Sequence, residues 1–89
     1  MHLENEVKFL SSVLEALKEG ETILLTNLKD QEHKVRLLKL NNDYYMSFWH
    51  NVTKDVEYES HNSDYKHRVI LALLKAGFGA RITPSLYEE

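Results

Sequence analysis

The chain has no cysteine, one proline, three glycines and one tryptophan among 89 residues, and each scarcity removes a class of reading. Without cysteine there is no disulfide framework, no thiolate nucleophile and no thiolate metal site, which suits a reducing compartment. The glycines do not make a phosphate cradle: Gly77-Phe78-Gly79 follows an expected helix, whereas a phosphate loop follows a strand and opens a helix. No G-x-S-x-G elbow occurs, and His61-Asn62-Ser63-Asp64 is explained by helix capping rather than by a nucleophile and its base. The reading is therefore of a protein that is not an enzyme and uses no cofactor.

Long apolar runs are also missing. The longest, Val69 to Leu74, falls far short of the roughly 18 residues that cross a bilayer. The opening Met1-His2-Leu3-Glu4-Asn5-Glu6 carries acids where a secretory signal carries lysines. A cytoplasmic, soluble protein with no membrane partner is expected, and Asn51-Val52-Thr53 is a glycosylation sequon by coincidence. The abundance of Asn, Lys, Tyr and Glu beside one proline has the flavour of a small bacterial or phage protein.

Eleven basic against fourteen acidic residues give a net charge of −3, which does not favour unspecific attraction to phosphate. The charge is uneven: Glu4, Glu6, Glu15, Glu19 and Glu21 lie near the start, and Lys66, Arg68, Lys75 and Arg81 near the end. Two neighbouring helices complementing each other weakly account for this.

What is present reads as one α+β domain spanning residues 1–89, since a chain this short cannot bury two cores. Leu3, Val7, Leu10, Leu14 and Leu17 recur at steps of four and three, which predicts a helix over 3–19 closed by Gly20. Alternation of β-branched, aromatic and aliphatic residues predicts strands over 22–28, 34–40, 44–52 and 56–60. Asn62-Ser63-Asp64 predicts a second helix, capped by Ser63, running to Ala76 and closed by Gly77. Its middle is apolar almost all round, so it is expected to be the more buried helix. Residues 78–89, with Pro84, are expected to form an edge segment or a frayed tail. The fold class is thus a four-stranded antiparallel meander with an N-terminal and a C-terminal helix packed on one face, in the order αββββα.

Three candidate sites follow. Five histidines raise a metal site, but His61 and His67 are six apart where a helical ligand pair needs three or four, and only an accident of register would bring Glu57 to His50. No metal is expected. The element order is similar to that of the double-stranded RNA-binding domain, with Lys66-His67-Arg68 near the start of the last helix. The acidic chain, the absent Gly-Pro hairpin loop and the fourth strand keep this from assigning a family. Nucleic-acid binding through Lys66, Arg68, Lys75 and Arg81 is the alternative function rather than the first.

The first is carried by the central hairpin. With Asn42 and Asp43 in the turn, Leu37 lies opposite Phe48, Val35 opposite His50 and Lys39 opposite Met46 on a face covered by the helices. The other face carries Leu38, Leu40, Tyr45 and Trp49, with Arg36 directly across from Trp49 for a cation–π contact. An outer face this apolar marks a partner site. The expectation is a noncatalytic protein-interaction module, a small regulator or inhibitor that occupies a partner's surface and forms a homodimer. A further alternative is a homodimer that sequesters a small molecule between Tyr45 and Trp49.

Overall fold

Two periodicities in the sequence, 3.6 at both ends and 2 between them, become helix and sheet in the computed structural model, which describes residues 2–79. The expectations for Arg81 and for residues 80–89 lie outside the described residues. Helix α1 (His2–Ala16) is followed by strands β1 (Thr22–Thr26), β2 (His33–Leu40), β3 (Asp43–His50) and β4 (Val56–Asn62), a single 3₁₀ turn (Ser63–Tyr65) and helix α2 (Lys66–Ala76). The strands pair antiparallel in the order β1-β2-β3-β4, so the chain is the αββββα meander its patterning predicts. No described helix is long and apolar enough to cross a membrane.

The helix ends depart from expectation for local reasons. α1 stops at Ala16 rather than residue 19, although the Leu17 amide still donates to the Val13 carbonyl at 3.1 Å. Gly20, at φ +83°, serves the turn into β1 and not the helix cap: its amide donates to the Lys39 carbonyl at 2.6 Å. β4 runs on to Asn62, and it is the Asn62 side chain, not Ser63, that accepts the Asp64 amide at 2.9 Å. Gly77 does close α2, at φ +97°, its amide bonding back toward Leu73 and Leu74, because a left-handed residue turns the chain so that its amide satisfies last-turn carbonyls left without a helical partner.

Both helices lie on one face of the sheet. Leu10, Leu14 and Leu17 from α1 and Val69, Ile70 and Leu73 from α2 are buried with Val35 and Leu37 of β2 and Tyr44, Met46 and Phe48 of β3. The Tyr44 hydroxyl, buried with its ring, donates to the Leu14 carbonyl at 3.0 Å, so the ring is buried without an orphaned hydroxyl. Val7 on the predicted stripe remains exposed. α2 is more one-sided than its composition suggests, since Leu71 is 55% exposed.

The central hairpin turns one residue earlier than predicted. Asn41 and Asn42, at φ +54° and +67°, form the two-residue loop, and Leu40 pairs with Asp43. Two consecutive positive φ angles are what a tight hairpin requires and what Asn tolerates. Every expected pair is corrected: Leu37 faces Met46, Val35 faces Phe48, Lys39 faces Tyr44 and Arg36 faces Ser47. The sum of paired positions changes by two, and side chains alternate with period two, so the faces themselves are as expected.

One polar side chain joins the ends of this layer. Asn27, just after β1, is buried. Its Nδ2 donates to the Ala76 carbonyl at 2.6 Å and lies 3.2 Å from His33 Nδ1. Its Oδ1 accepts the Lys29 and Asp30 amides at 2.8 and 3.2 Å, while the Leu28 amide donates to the Gly77 carbonyl. The β1–β2 loop is thereby tied to the end of α2, forty-nine residues away. Leaving these groups unpartnered is costly, so Asn27→Ala is expected to destabilise the fold by about 2 to 4 kcal/mol. Urea unfolding followed by far-UV circular dichroism measures this, and an unchanged midpoint would show that water replaces the amide.

Candidate protein interface

The face of the sheet turned away from both helices is laid out by strand register. One transverse row runs Leu24, Arg36, Ser47, Tyr58, the next runs Thr22, Leu38, Tyr45, Ser60, and the third runs Thr26, Lys34, Trp49, Val56. Leu40 and Asp43 end the face at the β2–β3 turn. All five residues predicted for the site, Arg36, Leu38, Leu40, Tyr45 and Trp49, thus share one face. Arg36, Leu40 and Tyr45 are exposed, and Leu38 and Trp49 are half-buried.

Arg36 does not sit across from Trp49, but its guanidinium carbon reaches diagonally to within 5.3 Å of the ring centroid, so the expected cation–π contact exists on a different pairing. The Trp49 indole N–H donates to Asn51 Oδ1 at 3.1 Å, which fixes the ring's polar edge in the loop. Lys34 Nζ donates to Thr26 Oγ1 at 3.2 Å. Within the three full rows there is no carboxylate, and the cations Lys34 and Arg36 both stand on β2. The aromatic rings all stand on β3 and β4.

Leu24, Val56 and Tyr58 also belong to this face and were not foreseen. Tyr58 is 78% exposed, and all three occupy positions whose parity follows from the flanking register. Extending the hairpin's alternation outward to β1 and β4 would have found them.

The inner face is different at its edge. β4 turns Glu57, Glu59 and His61 inward beside Phe48, Met46 and Tyr44, and the three β4 side chains line a groove of about 550 Å³ together with Arg68, Leu71 and Lys75 of α2. The proposed basic surface is therefore divided. Lys66 pairs with Glu15 at 3.1 Å, Arg68 lies 5.2 Å over the Tyr65 ring, and Arg68 and Lys75 share their groove with two carboxylates. His61 is bound to Glu59 at 2.6 Å, His67 lies against Tyr65, and Glu57 pairs with Phe48 rather than His50. Among the described residues no group of three or more His, Asp or Glu is placed to hold a metal ion.

His50 instead anchors a loop. Its Nδ1 accepts the Val52 and Thr53 amides at 3.1 and 3.2 Å, which puts the proton on Nε2, 2.7 Å from Asp30 Oδ2. The His50 hydrogen bond first, and the Glu32 amide second, hold the Asp30 carboxyl below its ordinary value of 3.8.

Compared with protein-family models, curated proteins and solved structures, the chain matches none. What these surfaces do is read from their own chemistry.

Two outcomes are expected. Asp30 has a depressed pKa, so its contribution to stability is full above the ordinary carboxylate range and is lost as pH falls through the folded-state value. Asp30→Asn should therefore flatten the loss of stability below about pH 4, and carbon-detected titration of the Asp30 carboxyl should give a midpoint below 3.8; an ordinary midpoint would remove the His50 contact from solution. With the basic positions divided, no mobility shift of duplex DNA or RNA is expected at physiological salt. A shift that weakens on Lys66→Ala or Arg68→Ala would restore the helix as a phosphate-binding surface.

Proposed function

We propose that the protein is a noncatalytic protein-interaction module, a small regulator or inhibitor that works by docking the outer face of its sheet on a protein surface. The single observation that carries this is the content of that face: Leu24, Leu38, Leu40, Tyr45, Trp49 and Tyr58 stand on the side of the sheet that neither helix covers. An antiparallel sheet covered on one side ordinarily presents polar residues on the other, and a contiguous apolar patch on a small domain marks a contact site.

The residue types support the same reading. Trp, Tyr and Arg dominate the energetic centres of protein interfaces, and here they meet, with Arg36 already resting on Trp49. Full burial of a large apolar side chain is worth roughly 1.5 to 3 kcal/mol, so the half-covered residues of this face retain several kcal/mol to gain from a partner.

Trp49 and Phe48 are adjacent in sequence and opposite in role, which supplies the test. Trp49→Ala should abolish capture of a partner from extracts of the source cell while lowering the melting temperature little. Phe48→Ala, which opens a cavity in the core, should cost about 3 to 5 kcal/mol of stability and spare capture at temperatures where the variant is folded. A partner retained equally by wild type and Trp49→Ala would place the contact surface elsewhere.

A further inference from the structure

We infer that the protein surface this face accepts is an acidic segment of another protein, one that carries carboxylates among apolar side chains and sets them over Lys34 and Arg36. The inference rests on the outer face being a protein-docking surface and states the chemistry of what docks there.

The cations cannot be left aside when the apolar residues are covered. β2 is an inner strand of the sheet, and along its outer side Lys34, Arg36, Leu38 and Leu40 follow one another. Leu24 lies across from Arg36 on β1, and Trp49 across from Lys34 on β3, so a partner that reaches both apolar residues passes over the two cations. Neither cation is met by a carboxylate. The ion pairs among the described residues join other groups, and the three full rows of the face hold no acid. Lys34 Nζ rests on a neutral hydroxyl, Thr26 Oγ1, and Arg36 on the neutral Trp49 ring. Covering such charges without an anion is costly. A partner that brings carboxylates removes that cost and gains charge-assisted hydrogen bonds in its place.

The same requirement sets spacing and direction. Lys34 and Arg36 are two residues apart on one strand, about 7 Å, a separation that carboxylates match at i and i+2 of an extended segment or at i and i+4 of a helix. At the far end of β2 the face closes on Leu40 and Asp43, and the Asp43 carboxylate, 3.5 Å from the Tyr45 hydroxyl, repels an acidic neighbour. The partner's carboxylates are therefore directed to the Lys34 end and its apolar side chains to Leu38, Leu40 and Tyr45. Along β2 the face is only about 20 Å long, which suits a short segment held with a dissociation constant on the order of 1 to 100 µM.

Single-stranded nucleic acid is also an anion that seeks aromatic rings, but it needs open ring faces and cations that track its backbone. Here the Trp49 ring already carries Arg36, both cations stand on one strand, and Leu24, Leu38, Leu40 and Val56 make much of the face aliphatic.

Selection on the full chain from phage displaying about fourteen random residues, long enough to span the face in either conformation, tests the proposal. Enriched peptides should be rich in Asp and Glu beside Leu, Ile or Phe and poor in Lys and Arg. Fluorescence anisotropy of a labelled selected peptide should show binding that weakens as salt rises. Trp49→Ala and Arg36→Glu, each checked for native circular dichroism, should weaken it about tenfold or more. Selection repeated on the Lys34→Glu/Arg36→Glu double variant should enrich basic peptides instead. Peptides that depend on Trp49 but carry no acidic bias would overturn the inference and leave the docking reading standing. Acidic peptides indifferent to both Trp49→Ala and Arg36→Glu would overturn the two together. No enrichment would overturn the acidic segment and leave the docking reading to the capture experiment above. Salt-sensitive quenching of Trp49 by oligothymidylate at lower concentration than any selected peptide would assign the face to single-stranded nucleic acid, and a dimer in sedimentation that Trp49→Ala dissociates would assign it to a second copy; either overturns the inference.

Discussion

A four-stranded sheet has two faces, and the two helices of this chain cover one of them. Everything else in the structure adjusts to that constraint. α1 and α2 lie side by side over Val35, Leu37, Tyr44, Met46 and Phe48, and their combined width reaches the strands in the middle better than those at the edges. Ile23 and Leu25 of β1 are only partly buried against the core, and β4, set off from α2 by the groove, is exposed along nearly its whole length. The inward positions of β4 are accordingly charged or polar, Glu57, Glu59 and His61, since apolar residues there would gain no burial. The outward positions, which no helix covers, set Leu24, Leu38, Tyr45, Trp49, Val56 and Tyr58 among threonine, serine, lysine and arginine.

The same distribution separates the two ways a sheet of this kind associates. Edge-to-edge pairing is discouraged when an edge strand carries charge, and β4 places two carboxylates along its inner side. The outer face has no such guard in its three full rows. On the proposed docking reading it is the outer face rather than the β4 edge that meets a partner, and there side-chain matching rather than open backbone decides the fit. The helices and the charged groove between α2 and β4 lie on the opposite side of the sheet.

Stability of the covered side depends on polar groups being satisfied as much as on apolar ones being hidden. The Asn27 amide fills the space where a side chain at Gly77 would stand: a Cβ there would come within 2.8 Å of Asn27 Nδ2. Gly77 thus supplies both the left-handed φ that ends α2 and the room for the amide that ties it to the β1–β2 loop. His33 sits at the same junction, its ring 4.9 Å from Phe78 and 6.4 Å from Phe48, so the polar tie and the aromatic end of the core share one side chain.

By itself the sequence determined the elements, their order and the composition of the two faces of the central hairpin, because these follow from local periodicity, and a period of two survives a register change of two. It also marked Asn-Asn-Asp as the central turn and Gly77 as a helix end, because positive φ restricts the residue type. It did not determine which two of Asn41, Asn42 and Asp43 form the turn, since all three tolerate the turn conformation and the choice falls to pairing across β2 and β3. Nor did it reveal that Asn27 binds the end of α2 or that Arg36 reaches Trp49 along a diagonal. Each of these depends on residues far apart in the chain meeting at a fixed register and distance, and only tertiary structure fixes those.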